Sequence, residues 1–237
     1  MSIHAFPPPA THGLEAVVAR AGGVVASRHG RAVAVNFGSA AGELAACVTA
    51  VGLADRSDLV KLELEGPQRV LAHVLANSTG SAPAPGGAVC TGSAWWCAAG
   101  PERVVVLSQP AGGERLRASI ARFALRHPSL RIRERSDEWG TIAIVGARAG
   151  DVLAQLGVYG EQRDPRSVAP VTTHPVGSVD VLWLLQSDRR ALAVMPLAEA
   201  PAVWRTVHRA GRPLGICAVG QEAIARYSLL ARADREL

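Results

Sequence analysis

The sequence predicts an internally duplicated α+β fold. Helix-like and strand-like apolar periods alternate along the 237 residues, and 49% apolar composition suffices for a sizeable core. One strand–glycine–helix unit also occurs twice, about eighty residues apart. Two copies are too few for a stacked repeat array, so they imply units that share a core.

The elements follow in order. Residues 1–10, with the run Pro7-Pro8-Pro9, are expected to form a disordered leader. Thr11 can cap a helix running to about Arg20, with Leu14, Val17 and Val18 on one face. Gly23 to Asn36 suits two short strands joined at His29-Gly30. Ser39 is placed to cap a second helix, with Glu43 in its early turns and Leu44, Cys47 and Val48 facing inward. Leu59 to Glu65 alternates leucine with Lys and Glu, the pattern of a strand with one wet face. Gly66-Pro67 turns this strand into a helix with apolar residues at Val70, Leu71, Val74 and Leu75. Proline suits the start of that helix because its missing donor costs nothing there.

Ser78 to Gly87 is a polar loop rich in Pro and Gly. Strands are expected at about Ala88–Ala98 and Arg103–Ser108. A helix follows over Glu114–Arg126, with Leu116, Ile120, Phe123 and Ala124 as its buried stripe. Gly140 to Gly146 and the helix Ala147–Leu156 then repeat the earlier strand–glycine–helix unit. Val179–Leu185 and Ala191–Met195 form a candidate hairpin, and helices are expected at Ala198–Arg209 and Val219–Ala231. Residues 11–237 thus suit one domain of two interleaved α+β subdomains, about 11–110 and 111–237.

Composition narrows the function. No run of eighteen apolar residues occurs, which argues against a membrane span, and residues 1–9 lack the pattern of a signal peptide. The net charge of +5 comes from 25 basic residues, all arginine except Lys61. They are scattered and not interleaved with aromatics, so nucleic-acid binding is not indicated. Cysteines 47, 90, 97 and 217 have no metal-ligand spacing. Free thiols in a reducing cytoplasm, with no metal, are the expectation.

The motifs carry more. Glu43, Val51-Gly52-Leu53, Asp55, Ser57, Gly66-Pro67 and Asn77 come first. Ile142-Ala-Ile-Val-Gly146 with Val152-Leu153, Val194-Met-Pro196, Val203-Trp204 and Ala210-Gly-Arg-Pro-Leu-Gly215 follow. This ordered series resembles the aminomethyltransferase family: the T-protein of glycine cleavage, the folate domains of sarcosine and dimethylglycine oxidases, and the sarcosine oxidase gamma subunit. The resemblance implies duplicated ferredoxin-like βαβ units around a central folate-type pocket. It further implies tetrahydrofolate as cofactor and transfer of an aminomethyl, methyl or methylene unit between it and a small amine. Typical members continue into a C-terminal β-barrel, whereas this sequence stops at Leu237. Either a partner subunit supplies that domain, within an oligomer, or the protein works without it.

Site residues follow from the same resemblance. Members carry Asn-Asp at the end of the early helix, where the carboxylate orients an amine and stabilises positive charge. Here the pair is Asn77-Ser78, and a hydroxyl holds no negative charge at neutral pH; Asp55 or Asp58 could compensate. Asn77 could equally cap its helix, with Ser78 opening the loop. A gapless alignment back from Met195-Pro196 puts Asp188 on the pteridine-binding Glu of the family, where it could accept two hydrogen bonds. A polar hairpin turn is the alternative. Trp95-Trp96, on a strand, would point to opposite faces. One ring would stack on a planar ligand and the other face solvent or a partner; core plus interface is the plainer reading. Arg226 is a further cofactor-binding candidate, or one half of a surface pair with Glu222.

Two other functions share these residues. Ser78, the degraded segment around Asp188, the missing barrel and the tryptophan pair suit a non-catalytic accessory subunit like the gamma chain of heteromeric sarcosine oxidase. Cys217-Ala-Val-Gly220-Gln221-Glu222 is similar to the signature of folate-binding-like proteins that maintain iron–sulfur enzymes.

Overall fold

A computed structural model describes residues 13–28, 30–158 and 169–236. The leader at 1–10 and the Thr11 cap lie outside the described residues. Helix α1 (Gly13–Arg20) buries Leu14 and Val18, and β1 (Val24–Arg28) and β2 (Arg31–Asn36) pair antiparallel as a small separate sheet. Helix α2 (Ala40–Thr49) is capped as expected, with Ser39 Oγ accepting from the Gly42 amide at 3.2 Å. Its buried side is Glu43 and Cys47, whereas Val48 is 49% exposed. An i,i+4 pair with a carboxylate in it, rather than an all-apolar stripe, thus defines the inward face.

The main sheet is built by two copies of one unit. The first runs β4 (Val60–Glu65), α3 (Gln68–Thr79), β5 (Gly87–Thr91), β6 (Ala94–Gly100), β7 (Arg103–Ser108), α4 (Pro110–Arg126) and β8 (Arg131–Glu134). The second runs β9 (Trp139–Val145), α5 (Ala149–Gln155), β10 (Ala169–Val176), β11 (Val179–Ser187), β12 (Arg190–Pro196), α6 (Ala200–Gly211) and β13 (Ile216–Ala218). Strand β3 (Val51–Asp55) precedes both and helix α7 (Gln221–Glu236) follows them. The sheet order is β13-β3-β9-β12-β11-β10-β5-β6-β7-β4-β8. Each copy therefore has the ferredoxin-like order, last strand beside first and third beside second, with one extra inner strand; β3 is inserted between β13 and β9. The copies join through equivalent strands, β5 and β10, at Ala88–Ala169 and Gly87–Pro170. The junction of the copies falls between β8 and β9. The strand expected at 88–98 is in fact the hairpin β5–β6, turned at Gly92-Ser93.

Three apolar clusters follow from this layering. Trp96, Val104 and Val106 pack beneath α3 and α4, and Ile142, Trp183 and Val203 pack with α1, α5 and α6. Between them, the inner faces of both copies share a core with α2 and α7, including Cys47, Leu107, Leu184 and Tyr227. No helix among the described residues is long and apolar enough to cross a membrane.

Strand β4 departs from expectation, because both of its faces are buried. Lys61 and Glu63 meet the polar turn after β3, Arg103 of β7 and Arg135 after β8 instead of water. Glu63 receives hydrogen bonds from Arg103 (2.7 Å) and Arg135 (2.8 Å). Burial alone would raise its pKa, but these two guanidinium groups hold the carboxyl below its usual range. Lys61 is fully buried, and its Nζ donates to the carbonyls of Ser57 (2.9 Å) and Leu59 (3.0 Å). Burial, then nearby Arg31, pulls this ammonium from 10.5 down to about 7, against the attraction of Asp55, Asp58 and Asp137.

Between those two values the unfolded chain keeps a proton that the folded one has lost, so the Lys61 contribution makes stability rise with pH across the window. Lys61→Met is expected to flatten that rise, as measured by denaturant unfolding at both ends of the window. An unchanged slope would contradict the assignment.

Candidate functional site

Where the two inner faces diverge beside α7, they leave a cavity of about 880 Å³, within the roughly 300–1,000 Å³ typical of small-molecule sites. Most of its wall comes from four places. The β5–β6 hairpin gives Cys90, Gly92, Ser93 and Trp95; the turn after β3 gives Arg56 and Leu59; the β11–β12 tip gives Gln186 to Arg190; and α7 gives residues from Gln221 to Ala231.

Strand geometry explains the aromatic wall. Trp95 pairs laterally with Cys90 on one side and Leu107 on the other, and all three line the cavity. Alternation sends Trp96 to the opposite face, where it is 4% exposed in the cluster beneath α3 and α4. The opposite-face expectation matches the register, but Trp96 meets helices rather than solvent or a partner.

Asp188 stands at the exposed tip of the β11–β12 hairpin and lines the cavity. The hairpin is tied to α7 by Arg190, whose Nη1 donates to Ser228 Oγ at 2.8 Å. Asp188 and Trp95, 93 positions apart in sequence, thus come to one cavity.

The other expected residues do not line it. Helix α3 covers the sheet face opposite Trp95, and its end carries Asn77 and Ser78. Asn77 is exposed and donates to the carbonyl of His73 at 2.7 Å. It is not the helix cap, since α3 continues to Thr79 and ends on Gly80 in the left-handed region (φ 78°). Asp55 is buried at the end of β3, where Oδ1 accepts from the Ser57 amide at 2.8 Å. Burial pushes its carboxyl up to about 6. Arg226 is exposed on α7, between the cavity residues Ala225 and Tyr227.

Arg56 is the main addition to the site. It is 3% exposed and lines the cavity wall. Asp58 holds it in two places, Nε–Oδ1 at 2.9 Å and Nη2–Oδ2 at 3.3 Å, and Gln109 Oε1 accepts from Nη2 at 3.0 Å. With Arg189 and Arg190, three arginines line the cavity together with one carboxylate, Asp188. Arg56 occupies the unspecified position of the Asp-x-Ser motif, which is why the motif did not single it out. Gln221 was within the Cys-x-x-Gly-Gln-Glu run, and helical spacing with Ile224, Ala225 and Ser228 marks a face of α7.

The rest of that run is structural. Glu43 accepts from the Phe37 amide (2.6 Å) and the Gly220 amide (2.7 Å), joining α2, β2 and the start of α7. Cys217 lies in β13 outside the cavity wall, and burial, then Glu43, raises its thiol pKa. No group of three or more His, Cys, Asp or Glu among the described residues could hold a metal ion.

The architecture superposes on the glycine cleavage system aminomethyltransferase T from Bartonella henselae with a TM-score of 0.66 at 15% identity, over 89% of this chain. The chain has the aminomethyltransferase T fold. It spans 59% of that protein's length. The fold is also similar to a chain of heterotetrameric sarcosine oxidase from Corynebacterium sp. U-96, with a TM-score of 0.58 at 18% identity. That match covers 76% of this chain and 94% of the other. No family model and no curated protein matches this sequence. The ordered motifs and the fold therefore agree on architecture across very low identity.

Proposed function

We propose that the cavity binds a reduced folate, tetrahydrofolate, and that the chain serves transfer of a one-carbon unit between that cofactor and a small amine. The observation that carries this is the meeting of Trp95, Asp188 and the arginines at one cavity inside an aminomethyltransferase T fold. The chemistry of the wall suits the parts of a folate. Trp95 offers a ring face for the flat pteridine, Asp188 accepts its N–H groups, and Arg189 at the rim suits a glutamate carboxylate. Two wall residues also carry a buried polar atom with no partner among the described residues, Gln186 Oε1 and Gln221 Nε2. The terminal amide torsion is broad and roughly two-fold, so a polar ligand can recruit either group. Bound folate would supply the nitrogen that accepts the one-carbon unit.

A second reading has its own support. Asn77 and Ser78 lie away from the cavity wall, and the sarcosine oxidase chain is matched over 94% of its length. On that reading the chain is a folate-holding accessory subunit of a heteromeric amine oxidase or transferase, and the partner carries the chemistry. Iron–sulfur maintenance has no comparable support, since Cys217 is outside the cavity wall.

Calorimetric titration with folinic acid separates these readings from none at all. Stoichiometric binding is the expected outcome, and absence of heat at millimolar ligand would sink both. Turnover of a small amine with tetrahydrofolate by the chain alone would favour the transferase. Binding without turnover, together with a second chain co-purified from the native host, would favour the subunit.

A further inference from the structure

Among the cavity groups, Arg56 is the one charged side chain that is almost wholly buried. Its hydrogen bonds engage Nε and Nη2, and Nη1 has no partner among the described residues. Asp58 already neutralises the guanidinium through two contacts. The ion pair thus carries little net charge, while Nη1 stays a strong donor on a guanidinium fixed from two sides in the cavity wall. A free carboxylate brought there would face the Asp58 charge behind the guanidinium and lose its own hydration. A neutral carbonyl gains the hydrogen bond without that cost.

The surroundings support the same chemistry. Buried Leu59 and Leu107 line the same cavity and favour a flat, weakly hydrated ring over a charged chain end. Gln109, which braces Nη2, directly precedes α4 and helps fix the guanidinium plane. Lys61 holds the turn in place by its two bonds to the carbonyls of Ser57 and Leu59.

We infer that Arg56 is a specificity-determining residue that donates from Nη1 to the ring carbonyl of a pterin-type cyclic amide. The inference rests on the folate reading of the cavity and adds which ring edge the protein reads. It involves no covalent step.

The test uses the full chain and a matched ligand pair, tetrahydrofolate and tetrahydroaminopterin, in which an amino group replaces the ring carbonyl. An amino group presents donors where Arg56 also presents donors. Tetrahydrofolate is expected to bind at least about tenfold more tightly in calorimetric titration. Equal or tighter binding of the amino compound would overturn the role of Arg56 while leaving folate binding intact. Failure of both ligands would instead remove the folate reading itself. In Arg56→Met the discrimination is expected to fall to within about twofold; retained discrimination would overturn the assignment. Should that variant fail to fold, because Asp58 is left buried without its partner, Arg56→Met combined with Asp58→Asn leaves no buried charge unpaired and is titrated with the same ligand pair; retained discrimination would again overturn the assignment.

Discussion

Glu43→Ala is expected to cost roughly 3–6 kcal/mol, the sum of two charge-assisted hydrogen bonds to backbone donors at about 1.5–3 kcal/mol each. The carboxylate is 7% exposed and bridges the amides of Phe37 and Gly220. Without it both amides lose their partner, and the end of β2 separates from the start of α7. Total stability of a domain is only about 5–15 kcal/mol, so much of the population could unfold. Glu43→Gln keeps one acceptor and should recover about half of the loss. Gly220→Ala should be as severe, because a Cβ there would lie 2.2 Å from the Val35 carbonyl oxygen and 2.5 Å from the Asn36 nitrogen. Both neighbours are backbone and cannot step aside. Denaturant unfolding of the three variants checks this; a loss below about 1 kcal/mol for Glu43→Ala would contradict the bridging role.

The adjacent tryptophans provide the second large contrast. Trp95→Ala should weaken folate binding by about 5- to 150-fold, from loss of stacking worth roughly 1–3 kcal/mol. It should cost little stability, since the ring is only half-buried at a cavity wall. Trp96→Ala should do the reverse. It empties a site beneath α3 and α4, at about 3–5 kcal/mol, while leaving the cavity wall in place. Stability by thermal unfolding and affinity by titration should therefore separate for neighbouring residues.

The sequence shows the framework better than the site, and particular residues explain the difference. The strand–glycine–helix repeat at Leu59–Leu75 and Gly140–Leu156 is local, so its two copies were visible and match β4–α3 and β9–α5. Strands β3, β8, β10 and β13 were not foreseen as strands. They are short or set among polar residues, and pairing across the sheet, not local pattern, makes them extended. Alternation of Lys61 and Glu63 suggested water on one face of β4, but burial of both charges depends on carbonyls and arginines brought from elsewhere.

The same distinction governs the site. Strand alternation separates the two tryptophan rings, but only the pairing of Trp95 with Cys90 and Leu107 shows which of them lines the cavity. Its distance from Met195-Pro196 singles out Asp188, and the fold puts that residue in the cavity wall. Arg56 was not legible, since its importance comes from Asp58 and Gln109 fixing it and from a cavity closed by α7. Asn77 and Ser78 stood at the expected motif position, yet α3 covers the sheet face opposite Trp95 and carries neither of them into the cavity wall.

The most direct measurement is titration of tetrahydrofolate into the native chain, with Trp95→Ala and Trp96→Ala titrated alongside. One site per chain is expected, strongly weakened by Trp95→Ala and kept in folded Trp96→Ala. No binding to the native chain at millimolar ligand, or equal binding by native and Trp95→Ala protein, would contradict a folate site in this cavity.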